Sequence, residues 1–209
     1  EVKPEGSGVT YEDAQETFTA RYTHETVALA FALTEEAVED NLYDKISTRY
    51  TKALARSMAN TKQVKAANIL NRGFNSSYLG GDDKELLATD HTTMAGDVKN
   101  ELTTAADLNE TSLEQALIDV AGMKDERGLK IALRAMKMII PVNLQFVAER
   151  LMKSAGRVGT ADNDINAIKS MGMVPQGYVV NNFLTDTDAW FLKTDAPNGL
   201  KMFTRAPIR

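Results

Sequence analysis

The sequence predicts an α+β fold built around one very long helix. Three observations carry that prediction. The stretch TEEAVEDNLYDKISTRYTKALARSMANTKQVKAANILNRG, Thr34 to Gly73, holds no proline and no internal glycine. Runs rich in β-branched and aromatic residues alternate with shorter helical segments in the second half of the chain. No repeat or low-complexity segment interrupts the pattern, and 209 residues with 43% hydrophobic content suffice for one large domain or two small ones.

The opening EVKPEGSGVTYED is polar and carries Gly and Pro, so it reads as a loop or hairpin tip. Residues 15–33, QETFTARYTHETVALAFAL, alternate in two phases: Phe18, Ala20 and Tyr22, then Val27, Leu29, Phe31 and Leu33. The phase change near Thr23–Glu25 predicts a bulge or bend in a long strand-like arm.

Thr34 suits the N-cap of the long helix and Gly73 its C′ position. About 38 residues at 1.5 Å each make a rod of roughly 57 Å. Its apolar residues Val38, Leu42, Ile46, Tyr50, Leu54 and Met58 step by four, drifting about 40° per step, so the stripe spirals instead of forming a coiled-coil seam. Such a rib should touch different neighbours at its two ends.

From Phe74 to Leu108 periodicity is weak, and NSSYLGGDDKE and TDHTTMAGD supply turn signals. Segments of this kind are often interaction surfaces. A helix is expected in TSLEQALIDVAGMKDERG, with Thr111 and Glu114 as a capping box and Leu113, Leu117 and Val120 on one face. LKIALRAMKMII reads as a strand stopped by Pro141. NLQFVAERLMKSAG is a helix capped by Asn143 and ended by Gly156, and DNDINAIKSMG is a shorter one ended by Gly172. GYVVNNF is a strand. AWFLKT and LKMFTR read as a hairpin joined at Pro197-Asn198-Gly199.

The search for chemistry mostly returns exclusions. A net charge of −5, from 24 Lys and Arg against 29 acids, argues against a general polyanion binder. The absence of cysteine removes disulfides, zinc ribbons, iron–sulfur clusters and thiol catalysis. No apolar run approaches the roughly 18 residues of a bilayer span, and no signal segment opens the chain. His24 and His91 lie in different segments without a second histidine at helical spacing, so they read as solvated or strand-face residues.

Asp162, Asp164 and Asn166 begin like a calcium loop. The pattern then fails where Ala167 replaces the turn glycine and Met173 the bidentate glutamate, so helix capping by Asp162 is the better reading. There is no nucleophile elbow, phosphate loop or Rossmann fingerprint; Gly6-Ser7-Gly8 is too short, and Asp90 beside His91 does not make a dyad. The nine methionines and Trp190 read as core, and the sequons at Asn75 and Asn109 as chance matches. The chain is not expected to be an enzyme, and no catalytic residue, metal ligand or cofactor is assigned.

In order, AQETFTARYTHETVALAFALTEEAVEDNLYD, TKALARSMANTKQVKAANILN, MIIPVNLQFVAERLMKS and AWFLKTDAPNGLKMFTR resemble the major capsid proteins of tailed bacteriophages, nearest to the Mu-like head subunits with the Hong Kong 97-type fold. The resemblance implies an α+β Hong Kong 97-type capsid fold with an extended E-loop arm. Residues 1–33 would be its returning side, 34–73 the spine helix of the P domain, 74–188 a mixed α/β A domain, and 189–209 a hairpin returning towards the P domain. Against that family pattern an N-terminal arm, the outgoing side of the E-loop and the closing P-domain strand are missing, and both ends are expected to be trimmed.

The resemblance further implies a structural protein that self-assembles through hexamers and pentamers into an icosahedral head shell enclosing double-stranded DNA. That shell would belong to a virion assembled in the bacterial host cytoplasm. Implied partners are other copies of the chain, the portal and scaffold or decoration proteins, with packaged DNA touched only nonspecifically and no membrane. The alternatives are an encapsulin-like nanocompartment shell of the same fold and an unrelated soluble enzyme.

The charges of the long helix point to contacts outside it. Glu35, Glu36, Glu39, Asp40 and Asp44 open it, and Lys45, Arg49, Lys52, Arg56, Lys62, Lys65 and Arg72 follow, an order that suits the helix dipole. Its i,i+4 neighbours are nevertheless like-charged: Glu35/Glu39, Glu36/Asp40, Asp40/Asp44, Lys45/Arg49 and Lys52/Arg56. At about 0.2–0.5 kcal/mol each these repulsions total roughly 1–2.5 kcal/mol, with no opposite pair to offset them. Arg49 and Arg56 are therefore candidate subunit-interface residues, expected to meet acids such as Glu12, Asp13 and Glu16 in the arm of an adjacent copy.

Overall fold

The computed structural model describes residues 5, 18–19, 21–40, 43–157 and 164–205, with backbone alone at 43–46. The chain orders as α1 (Glu35–Glu39), α2 (Tyr43–Asn71), β1 (His91–Thr93), β2 (Gly96–Val98), α3 (Glu110–Ala121), β3 (Ala135–Ile140), α4 (Gln145–Lys153), α5 (Ala167–Ser170), β4 (Tyr178–Val180) and β5 (Phe191–Thr194). No helix among the described residues is long and apolar enough to cross a membrane.

The single helix expected from Thr34 onward is two. Thr34 does cap it, its side chain accepting from Ala37 N at 3.4 Å. The first helix nevertheless stops after five residues, with Asp40 as its C-cap at ψ 4°. Asp40 and Asn41 are poor helix formers, and the Glu35/Glu39 and Glu36/Asp40 repulsions fall within that one turn. The second helix, α2, runs 29 residues, about 43 Å.

At its far end α2 is built into the body. The Asn71 side chain donates to Phe183 O at 3.1 Å and accepts from Thr185 N at 3.0 Å. Phe74 stacks on Phe191 with ring centroids 5.9 Å apart. Leu87 N donates to Gly73 O at 2.9 Å. Gly73 is buried, and a Cβ there would meet Leu70 O and Leu87 Cδ1 at 3.1 Å each. The glycine thus serves close approach of the chain, since its φ is not among the positive ones.

The core lies between a three-stranded mixed sheet, order β4-β3-β5, and helices α3, α4 and α5. Strand β3 is its centre, parallel to β4 and antiparallel to β5. Met138 and Ile140 are fully buried on its inner face, and Ala135 joins them because the register with β5 shifts between Ala135 and Lys137. Leu113, Leu117 and Val120 of α3 are all buried, as their spacing predicts. Trp190 packs partly buried against the same cluster and donates from Nε1 to Ala106 O at 3.1 Å.

Several local signals resolve differently from the sequence reading. The cap of α3 is Asn109, whose side chain accepts from Ser112 N at 2.9 Å while Ser112 Oγ accepts from Asn109 N at 3.0 Å. Thr111 and Glu114 lie inside the helix. The segment after Pro141 begins with a 3-10 turn at Val142–Leu144, and α4 has no side-chain cap, so Asn143 does not start it. α4 ends at Ser154, before Gly156, whereas Gly172, at φ +61°, does close the turn after α5. The weakly periodic region after Phe74 contains the hairpin of β1 and β2.

The expected terminal hairpin does not form. Its turn is present, with Asn198 at φ 61° and its Oδ1 accepting from Lys201 Nζ at 2.6 Å. Residues 200–204 join no ladder, and Leu200, Met202 and Phe203 are about two-thirds exposed. β5 pairs with β3 on one side, and residues 200–204 do not extend the sheet on its other side.

Candidate assembly surface

The arm expected as a strand also joins no ladder among its described residues. Its apolar side chains face solvent: Tyr22 is 82% exposed, Leu29 53% and Phe31 40%. Two side-chain contacts hold its described part to α2. Phe31 stacks on Tyr50 of α2, ring centroids 5.7 Å apart and planes 27° from parallel, and Glu25 pairs with Lys65. The hydrogen bond and the charge of Lys65 hold the Glu25 carboxyl below its usual value.

These contacts fix the arm's path. Tyr50 and Lys65 are about 22 Å apart along a helix. Phe31 and Glu25 are separated by six residues, about 20 Å of extended chain. Between Glu25 and Phe31 the arm therefore runs antiparallel to α2 at nearly full extension. An aromatic stack contributes about 0.5–1.5 kcal/mol, no more than the roughly 1–2 kcal/mol that fixing a single residue's backbone costs. The Glu25–Lys65 pair is solvent-screened. The arm leaves many main-chain and apolar groups available to another chain.

Arg49 and Arg56 are exposed on α2 and pair with no described acid. With Lys52 between them they occupy an arc of about 60° on one side of the helix, since successive residues turn 100°. Glu12, Asp13 and Glu16 lie outside the described residues. The contact that the sequence reading missed is Glu25–Lys65. Its signal was the lack of any acid on the helix beyond Asp44, so that a carboxylate for Lys65 could come only from outside the helix.

The residues considered for chemistry do not assemble into a reacting group. His24 is exposed on the arm. His91 Nδ1 lies 2.6 Å from Asp82 Oδ2, its Nε2 is buried without a hydrogen-bond partner, and Lys84 pairs with Asp90 beside it. Burial opposes ionisation of Asp82, but hydrogen bonds from His91, its own amide and that of Lys84 hold its carboxyl below the usual value. Glu101 is pushed up, by burial first and by the charge of Glu85 second. No cluster of three metal-ligating side chains occurs among the described residues.

Asp162 lies outside the described residues, and Asn166 performs the capping near it. Asn166 Oδ1 accepts from Lys169 N at 3.2 Å, and its amide nitrogen donates to Leu151 O at 2.7 Å. An open cleft of about 300 Å³ lies over Glu110, Glu114, Arg157, Asp164, Ile165 and Ala167. There Arg157 Nε donates to Glu110 Oε2 at 2.9 Å, a structural ion pair tying α3 to the segment after α4.

Neither the curated proteins nor the solved structures compared with this chain give a match. A family model described as phage capsid protein matches residues 16–208, nearly the whole chain and including both the arm and the α3–β5 body. A family of shell proteins accounts for a subunit with a packed body at one end of α2 and a largely unpartnered arm and helix at the other. The chain belongs to the phage capsid protein family and is a structural protein of the virion that associates with its own copies in the capsid shell.

Proposed function

We propose that this chain is the major head subunit of a tailed bacteriophage, of the Hong Kong 97 type and nearest to the Mu-like group. Its copies self-assemble in the host cytoplasm into hexamers and pentamers of an icosahedral shell around double-stranded DNA. In this reading residues 1–33 are the E-loop arm, 34–73 the P-domain spine, 74–188 the A domain, and 189–209 the segment returning to the P domain.

The observation that supports the reading best is the arm on α2. Its described residues lie exposed along a long helix, without a ladder partner among the described residues, in a chain of the phage capsid family. Identical copies are the economical partners for such a surface. The exposed Arg49 and Arg56 would meet Glu12, Asp13 and Glu16 of an adjacent copy. The acidic net charge keeps contact with packaged DNA weak and nonspecific, and the portal and scaffold or decoration proteins are further partners.

Electron microscopy of the native particle tests the proposal. Closed icosahedral shells with hexameric and pentameric capsomers and packaged DNA are expected. A protein that stays monomeric under assembly conditions would refute it, and shells filled with protein cargo would reassign it to a nanocompartment.

A further inference from the structure

We propose that the contact between the arm and α2 of its own subunit is an autoinhibitory latch, a weak intramolecular competitor that slows the entry of the unassembled chain into a shell until the arm is released. The inference rests on the reading that the arm docks on a neighbouring copy. Glu25 and Phe31 are each engaged on the same chain's α2, by Lys65 and Tyr50. While so engaged, neither that carboxylate nor that ring face can be offered to another subunit. The latched and docked arms are alternative states of one segment, and whatever stabilises the first opposes the second.

The contacts suit a reversible device. The Glu25 and Lys65 side chains are 70% and 48% exposed, so the pair is open to water and salt. The described part of the arm makes no backbone hydrogen bond to the rest of the subunit, so releasing that part breaks only side-chain contacts. The two contacts stand about 22 Å apart on α2, far enough to fix the direction of the arm between Glu25 and Phe31. Docking on a neighbour would substitute main-chain pairing and apolar burial for two exposed contacts, which makes the exchange favourable once copies are concentrated.

The chain has no cysteine, so two introduced thiols can be joined selectively. The full protein with Glu25→Cys and Lys65→Cys, treated while unassembled with a short bis-methanethiosulfonate, should cross-link within one chain, and reduction should reopen the bridge. The bridged protein is expected to lose shell yield by about tenfold, in proportion to the locked fraction, and to recover it on reduction. The Lys65→Glu variant, which makes the latch repulsive, should shorten the lag before shells appear. Shell formation by the bridged protein at the rate of the reduced protein would overturn the latch, as would failure of the bridge to form within the unassembled chain. Should the untreated wild-type protein form no shells, the shell reading itself would fall, and the latch with it.

Discussion

Asn71 and Thr185, 114 positions apart, are joined by a hydrogen bond of 3.0 Å from the Thr185 amide to the Asn71 side-chain oxygen. The same Asn71 amide group donates to Phe183 O at 3.1 Å. The last turn of α2 is therefore clipped at two points to the segment that leads into β5.

Asn71→Ala removes both bonds, leaving the part-buried Phe183 carbonyl without its partner and returning the exposed Thr185 amide to solvent. The expected loss is about 1–3 kcal/mol of subunit stability, measured by urea unfolding. Because the clip sets the angle of α2 against the body, shells should also form with lower fidelity, visible as malformed particles in micrographs. Unchanged unfolding and unchanged particles would show that Phe74 on Phe191 suffices to anchor the helix.

Met138 lies fully buried at the centre of β3, whereas Met202 is 64% exposed beyond β5. Met138→Ala should cost about 2–5 kcal/mol through the cavity it leaves. Met202→Ala should change subunit stability by no more than about 0.5 kcal/mol. Thermal unfolding of the two variants side by side checks the assignment of the core to the sheet and α3–α5.

The loop carrying Asp82 and Glu101 should respond to pH in two opposite ways. Asp82 is held below its ordinary 3.8, so its contribution is present above that pH and is lost as pH falls through the lowered value. Asp82→Asn should thus be less stable than wild type at neutral pH and indistinguishable from it in strong acid. Glu101 is raised above 4.5, so wild-type stability is fullest below that pH and falls as pH rises through the raised value. Glu101→Gln should gain on wild type at neutral pH, and the gain should vanish below pH 4.5. Unfolding curves from acid to neutral pH distinguish the two signs.

Arg49 is exposed and pairs with no described acid, so Arg49→Glu should leave subunit unfolding within about 0.5 kcal/mol of wild type. Shell yield should fall much further, and the salt dependence of assembly should change. A compensating change of Glu12, Asp13 or Glu16 to Lys should restore yield. Equal yield and salt sensitivity in the reversal variant would mean that the charge is merely solvated.

Local chemistry made much of the body legible from the sequence alone. The i, i+3, i+4 spacing of apolar residues placed Leu113, Leu117 and Val120 in the core, because a helix can present only one such face. Pro141 marked the end of β3, and Gly172 the turn after α5. Thr34 capped a helix where a cap was expected. The segregated charges of residues 35–72 pointed to acids outside the helix, and Glu25 pairs with Lys65.

Tertiary structure, together with local contacts that the apolar pattern does not register, decided the rest. LKMFTR has the composition of a strand, yet it stays unpaired because a strand forms only where a neighbour and a buried face await it. Asn109 caps α3 in place of Thr111 because the Asn109 and Ser112 side chains each reach the other's amide. The division of the long helix at Asp40 joins weak local propensity to like-charge crowding, which a pattern of apolar residues does not register. The path of the arm along α2 was set by two contacts, Phe31 with Tyr50 and Glu25 with Lys65. Neither pair is close in sequence, so no local period could announce it.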